Sequence, residues 1–238
     1  MTEVSLSILM TTAVTIALLH TFIGVDHYLP FVVLGRAKNW SVKKVLGITA
    51  VCGLGHVVIS IVLGFAGIGA GMALDHLEWI EGIRGSLAAW ALIGFGAVYA
   101  AYSFVRAQRG KRHSHAHMHE DGTLHTHEHD HANEHMHAHE APNKTTVTVW
   151  SLFIIFVLGP CEPLIPLLMA PAWEANWMWV AAVALVFSVV TIGTMVFMAY
   201  LGTLGLRQVS IPKLERHANT LAGLAIATSG LMIQVLGI

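Results

Sequence analysis

Long apolar stretches constrain the fold of this chain more than any other feature of its sequence. A membrane-spanning helix needs about 20 apolar residues at a rise of about 1.5 Å each. Candidate spans lie at roughly 6–34, 45–70, 84–106, 147–171, 177–204 and 219–238. Of the 238 residues, 55% are hydrophobic and only 11% are charged, so little of the chain faces water. We therefore predict an all-α integral membrane protein with six transmembrane helices.

The charges of the connecting segments predict the orientation of these spans. The first, third and fifth connections are basic, the second is mainly acidic, and the fourth holds only Glu174. Basic connections stay in the cytoplasm. We therefore expect a multi-pass protein of the inner cell membrane with both termini outside. The charged residues used are Arg36, Lys38, Lys43, Lys44, Arg106, Arg109, Lys111, Arg112, Arg207, Lys213 and Arg216 on the basic side, and Asp75, Glu78 and Glu81, beside Arg84, on the acidic side.

The two halves of the chain resemble each other. The segment 87–92 parallels 221–226, and the same offset pairs Gly96 with Gly230 and Glu81 with Glu215. In addition, 26–30 and 162–166 share an acid followed four residues later by proline. Because each half has three spans, the second copy must be inverted, as in many transporters. We predict a first repeat at 1–106, a cytoplasmic His-rich loop at 107–146 and a second repeat at 147–238.

The first span carries His20, Asp26 and His27, with Gly24 and Pro30 on either side of the Asp-His pair. One straight helix over 6–34 would run about 43 Å, longer than the hydrocarbon core of about 30 Å. We therefore predict a break near Asp26, which is tolerated where the backbone faces protein or a wet cavity. Imidazole and carboxylate ligands suit nickel, cobalt, zinc or iron.

Two further spans add candidate ligands. His56 follows Gly53 and Gly55, whose small size allows close helix approach. The segment 158–166 contains three prolines and a glycine, which predicts a second broken helix around Cys161 and Glu162. The predicted metal ligands are His20, Asp26, His27, His56, Cys161 and Glu162. Structural hydrogen bonding by these polar residues is the simpler alternative.

The linker between the halves has a different composition. Eleven histidines lie between His113 and His139, many of them at alternate positions. Such a tract lacks the apolar content to fold on its own and is typical of metal binding. We interpret it as a metal-collecting or sensing loop and not as the translocation site. A solvated spacer is the alternative.

These residues make the chain resemble the nickel/cobalt transporter superfamily, most closely its UreH-like branch, which is related to the sulfite-exporter and cytochrome c biogenesis families. The resemblance covers both halves. It rests on His20, Asp26 and His27, on Gly55-His56, and on Leu158-Gly159 followed by Glu162. The nickel/cobalt permeases have a His-x4-Asp-His signature, whereas five residues separate His20 from Asp26 here. The cytochrome-biogenesis relatives pair cysteines from two broken helices, and only the second break has one here, Cys161.

The sequence thus predicts a transporter and not an enzyme. Its substrate would be a divalent cation, nickel or cobalt first and zinc next, with no tightly bound cofactor. Ligands must lose protons to bind metal, which favours proton coupling. The expected partners are the lipid bilayer and the ion, with a metallochaperone or a second copy of the chain as further candidates and no nucleic acid. Two alternatives remain: an accessory protein that delivers metal to a partner such as urease, and a thiol-disulfide electron carrier using Cys52 and Cys161.

Overall fold

The computed structural model describes residues 3–109, 113–118, 124–129, 143–208, 215 and 217–236. Helices make up nearly all of this part of the chain, as predicted. In chain order the elements are α1 (Glu3–Ile23), a 3₁₀ turn (Val25–His27), α2 (Leu29–Ala37), α3 (Val42–Gly69), α4 (Leu74–Arg109), β1 (His113–Met118), β2 (Leu124–His129), α5 (Asn143–Leu158), α6 (Leu164–Trp173), α7 (Trp177–Gln208) and α8 (Ala218–Leu236).

Two helices are interrupted where the sequence predicts it. α1 ends at Ile23, and α2 begins only after the 3₁₀ turn. α5 ends at Leu158 and α6 begins at Leu164, so Gly159 and the prolines that follow separate two short helices. Proline lacks the N–H that a continuous helix requires. Both predicted breaks are therefore confirmed.

Among the described residues, five helices are long and apolar enough to cross a membrane. The fourth predicted span is instead divided between α5 and α6, whose apolar parts are each shorter than a bilayer requires. Large apolar side chains cover the outside, with Val98 and Val235 each 70% exposed and Met178 71% exposed. A water-soluble surface rarely shows apolar side chains on this scale. These features are those of a membrane protein.

The third predicted span is wrong at its start. The segment 74–83, interpreted from its charges as a loop, forms the first turns of α4. Glu81 in this segment is fully buried, with 0% of its surface exposed. Its charge therefore faces the protein interior and is not available as a loop charge.

The short helices α2 and α6 each lie in an apolar cluster. Phe31 and Leu34 of α2 pack with residues of α3, α5, α7 and α8, whereas Leu164 and Leu168 of α6 pack with residues of α1 and α7. The short helices also end alike. The residues after each helix, Asn39 and Ala175, have positive φ angles of 51° and 55°. The amide of the following residue then donates a hydrogen bond to the carbonyl five residues earlier, from Trp40 N to Gly35 O and from Asn176 N to Pro171 O.

α4 and α8 pack very closely, because glycines line their contact. A Cβ added to Gly96 would lie 2.6 Å from Gly223 O, and one added to Gly230 would lie 2.7 Å from Ala89 O. No side chain fits at these points, so the two backbones lie almost in contact.

The linker contributes the two strands, which pair antiparallel. The Cα register places His113 opposite His129, His115 opposite His127 and His117 opposite His125. The two ends of the predicted loop belong to α4 and α5, and 110–112, 119–123 and 130–142 lie outside the described residues.

Candidate metal centre

Three histidines from the predicted set meet inside the helical bundle. His20 lies in the last turn of α1, His27 lies in the 3₁₀ turn, and His56 lies midway along α3. One ring nitrogen from each lies within 4.8 Å of the others. The ring centroids are 4.8 Å apart for His20 and His27, and 5.2 Å apart for His27 and His56. The break allows this, since it turns His27 back toward the end of α1.

Hydrogen bonds at Nδ1 orient two of the rings. His27 Nδ1 lies 3.0 Å from Gly24 O and 3.3 Å from Asp26 Oδ1. His56 Nδ1 lies 3.3 Å from Phe156 O at the end of α5. A carbonyl can only accept, so Nδ1 carries the proton in the neutral ring and Nε2 keeps its lone pair. Such a contact also fixes the ring orientation of metal-bound histidines.

The Nε2 atoms of all three rings are buried, and within the described part of the chain none has a hydrogen-bond partner. A buried nitrogen without a partner costs about 1–3 kcal/mol. Such atoms are unfavourable unless a cation or a water molecule binds them. This donor set fits a divalent ion.

A small cavity adjoins the histidines. Its volume is about 20 Å³, enough for one water or one ion. Asp26, with 19% of its side chain exposed, lies on its wall beside His27. The cavity is lined by Asp26, His27, His56, Leu92, Ile155, Phe156 and Gly159. Apolar residues thus surround a polar centre, which excludes bulk water from the site.

The donor set narrows the choice of ion. The group consists of three imidazoles, and Asp26, a predicted ligand, lies outside it on the cavity wall. Imidazoles suit zinc, nickel, cobalt and iron, whereas calcium and magnesium prefer oxygen ligands. Bonds of about 2.1 Å place two donors on one ion at most about 4.2 Å apart. Since the ring nitrogens lie up to 4.8 Å apart, the rings must move closer together to bind one ion, by at least about half an ångström and by more for a tetrahedral ion.

The two predicted ligands at the second break lie outside the histidine group. Cys161 is buried, and its amide donates to Glu81 Oε2 at 3.0 Å. Glu162 is exposed. It lies near Gly85 of α4, where a Cβ added to the glycine would be 3.6 Å from Glu162 Oε1. Neither residue belongs to the histidine group. Metal ligation by Cys161 and by Glu162 stays a prediction from the sequence.

The sequence analysis missed one buried polar pair, Glu81 and Arg84 of α4. The two side chains are 0% and 11% exposed, and they form an ion pair beside the second break. Their spacing of three residues, which puts both on one helix face, was the available signal. The acidic and basic residues around them were interpreted as a loop instead.

Comparisons with known proteins identify no relative: no protein-family model, no curated protein and no solved structure matches the chain.

Proposed function

We propose that this protein transports a divalent transition-metal cation across a membrane, with nickel or cobalt as the first candidates and zinc as the next. One observation carries the proposal: three histidines, each with a buried Nε2 that has no partner among the described residues, bring one ring nitrogen apiece within 4.8 Å of one another at an interrupted helix. Polar groups at membrane depth are costly, so a converging set indicates an ion pathway. Transporters bind their ions at such breaks.

The proposed architecture is six spans in two inverted three-helix repeats, with α5 and α6 together forming the fourth span. The matching ends of α2 and α6 support this architecture. Each positive-φ residue and each hydrogen-bonded residue at the end of α2 has its counterpart at the end of α6 the same number of residues later. That same separation relates Asp26 to Glu162 and Pro30 to Pro166.

The contact between α4 and α8 is compatible with the repeat. Gly96 lies against Gly223 and Ala227. The alignment that pairs Gly96 with Gly230 also pairs Gly223 with Ala89 and Ala227 with Ile93. A two-fold axis then requires Gly230 to lie against Ala89 and Ile93, and it does. This reciprocity is compatible with the repeat, but any two antiparallel helices in contact show the same pattern.

The proposed orientation keeps the basic ends of the helices in the cytoplasm. Arg36 at the end of α2 donates to Glu215 at 3.1 Å, and Arg207 at the end of α7 donates to Trp40 O at 2.9 Å. These contacts bring the first and fifth connections to one end of the bundle. The positive-inside rule then leaves both termini outside.

The mechanism we propose follows from the ring chemistry. Histidines bind metal only when neutral at the donor nitrogen, so protons and the ion compete for the site. Lower pH on the receiving side would release the ion, which couples transport to a proton gradient. Rocking of one half against the other would expose the cavity to each side in turn.

We further propose that the His-rich loop collects or senses the ion on the cytoplasmic side. The register of β1 and β2, which sets histidine opposite histidine at three positions, supports this role. The electron-carrier alternative is less well supported, because both cysteines are free and lie in different apolar clusters. The metal-delivery alternative predicts that the loop acts without the intramembrane histidines.

Flux in liposomes tests the proposal. The purified full chain, with its eleven linker histidines replaced by asparagine to remove loop binding, is assayed with nickel, cobalt and zinc. We expect flux that the double variant His27→Ala/His56→Ala abolishes. His76→Ala is the matched control, since that side chain is 69% exposed. Absent flux of all three ions, or equal flux in the double variant, would overturn the proposal.

A further inference from the structure

The ion pair of Glu81 and Arg84 lies inside the bundle, against the break between α5 and α6. Both residues belong to α4, one turn apart. A buried ion pair is costly unless its remaining donors and acceptors are satisfied. The contacts of the pair therefore indicate what it does.

Arg84 binds the broken end of α5. Its Nη2 donates to Val157 O and to Gly159 O, both at 3.0 Å. The last carbonyls of a helix have no partner within it, and a cation there is favourable. Glu81 completes the arrangement, because its Oε2 accepts from the Cys161 amide while its Oε1 pairs with Arg84.

The same contacts reach the surroundings of His56. Gly159, whose carbonyl Arg84 holds, lies so close to His56 that an added Cβ would be 3.2 Å from Nδ1. Phe156 O accepts both from Gly159 N at 3.1 Å and from His56 Nδ1. Arg84 Nη1 also donates to Ser60 Oγ at 3.4 Å, one turn beyond His56 on α3.

We propose that Glu81 and Arg84 are positioning residues for the metal centre. By fixing the carbonyls at the end of α5, they hold Phe156 O where it contacts His56 Nδ1 and thereby fixes the orientation of the ring. Both Glu81 oxygens already have partners, so the pair does not itself bind the ion. This inference rests on the proposed function, because it concerns the same histidines.

The test variant is Glu81→Gln/Arg84→Met, which removes both charges together and leaves no unpaired charge buried. The introduced glutamine can still accept from Cys161 N, whereas the introduced methionine holds no carbonyl. The readouts are cobalt affinity and the cobalt d–d absorption spectrum of the purified full chain, in the background with linker histidines replaced. We expect affinity to fall about 10-fold or more, as for other groups that orient metal-bound histidines. The spectrum should approach that of His56→Ala.

Two further variants complete the design. Arg207→Met removes an arginine that also holds a backbone carbonyl, Trp40 O, but far along the chain from the second break, and should leave affinity and spectrum unchanged. Arg84→Lys keeps the charge but not the fork that spans two carbonyls, so its affinity should be intermediate. The lysine variant thereby tests the inference even where the double variant does not fold.

The outcomes separate this inference from the proposed function. If the wild-type protein bound no cobalt, or bound cobalt without any dependence on His27 and His56, the proposed function would be refuted. The positioning role alone would be overturned if cobalt binding depended on these histidines while the folded double variant kept the wild-type affinity and spectrum. If the double variant does not fold, the same result in Arg84→Lys would overturn it.

Discussion

The two helix breaks differ in what stabilises them. The first is held by its own side chains, since His27 Nδ1 contacts Gly24 O and Tyr28 Oη donates to Phe22 O at 3.3 Å. The second is held from outside, because Arg84 and Glu81 of α4 bind its carbonyls and an amide. The first break brings His27 to the cavity wall, whereas the second break places the backbone oxygen of Phe156 against His56 Nδ1.

This difference indicates that the two breaks contribute different groups to the proposed site. In the proposed site, the first break supplies His27 as a donor, and the second break supplies a backbone acceptor, Phe156 O, that contacts Nδ1 of His56 on α3. A site shared in this way depends on the packing of both halves. The predictions below test the division from the largest expected effect to the smallest.

The largest effect should be on stability at the second break. Arg84→Met leaves Glu81 charged and buried without its partner, which costs about 3–5 kcal/mol. Tyr28→Phe at the first break removes one hydrogen bond and should cost only about 1 kcal/mol. Thermal unfolding in detergent measures both. Equal losses would show that the two breaks are held alike.

Metal affinity should show the reverse asymmetry. His27→Ala removes a donor and should weaken cobalt binding by about 100-fold or more, beyond the usual effect of an orienting group. Cys161→Ala at the second break should change affinity less than about 3-fold, since Cys161 lies outside the histidine group. Cobalt titration with a competing chelator measures both. A large effect of Cys161→Ala would make the thiol a ligand.

The sequence was sufficient for the parts of the fold that depend on local chemistry. Glycine and proline mark both breaks because backbone constraints act within a few residues. His20, His27 and His56 were identified because polar groups at membrane depth need a reason to be there. None of this required knowledge of which helices are neighbours.

The sequence failed where an outcome depends on a distant partner. Glu81 was assigned to a loop because its segment is charged. Its burial is possible because it pairs with Arg84 and accepts from the amide of Cys161, which is far away in the sequence. Glu162 was predicted as a metal ligand, and in this structure it lies outside the histidine group. A side chain in an irregular break has no helical period to fix its direction, and Glu162 is exposed.

Adding a methyl group at each break sharpens the comparison. A Cβ at residue 24 would lie 2.5 Å from His27 Nδ1 and 2.9 Å from His20 O, so Gly24→Ala must displace both histidines. We expect about 10- to 100-fold weaker cobalt binding. Gly159→Ala, at 3.2 Å from His56 Nδ1, should cost about 3-fold. Gly47→Ala is the control, because no described atom lies within 4 Å of its added Cβ.

The smallest effect on cobalt affinity should come from Glu162, the acid of the second break, when it is compared with Asp26, the acid of the first break. Asp26→Asn weakens the contact that orients His27 and should lower cobalt affinity about 10-fold. Glu162→Gln should lower it less than about 3-fold, like the exposed control Glu78→Gln, because Glu162 lies outside the histidine group. Flux in liposomes adds a second test, since it samples every state of the cycle. If Glu162→Gln abolished flux while leaving affinity intact, Glu162 would meet the ion only after the two halves rearrange, and the division between the breaks would hold for one state alone.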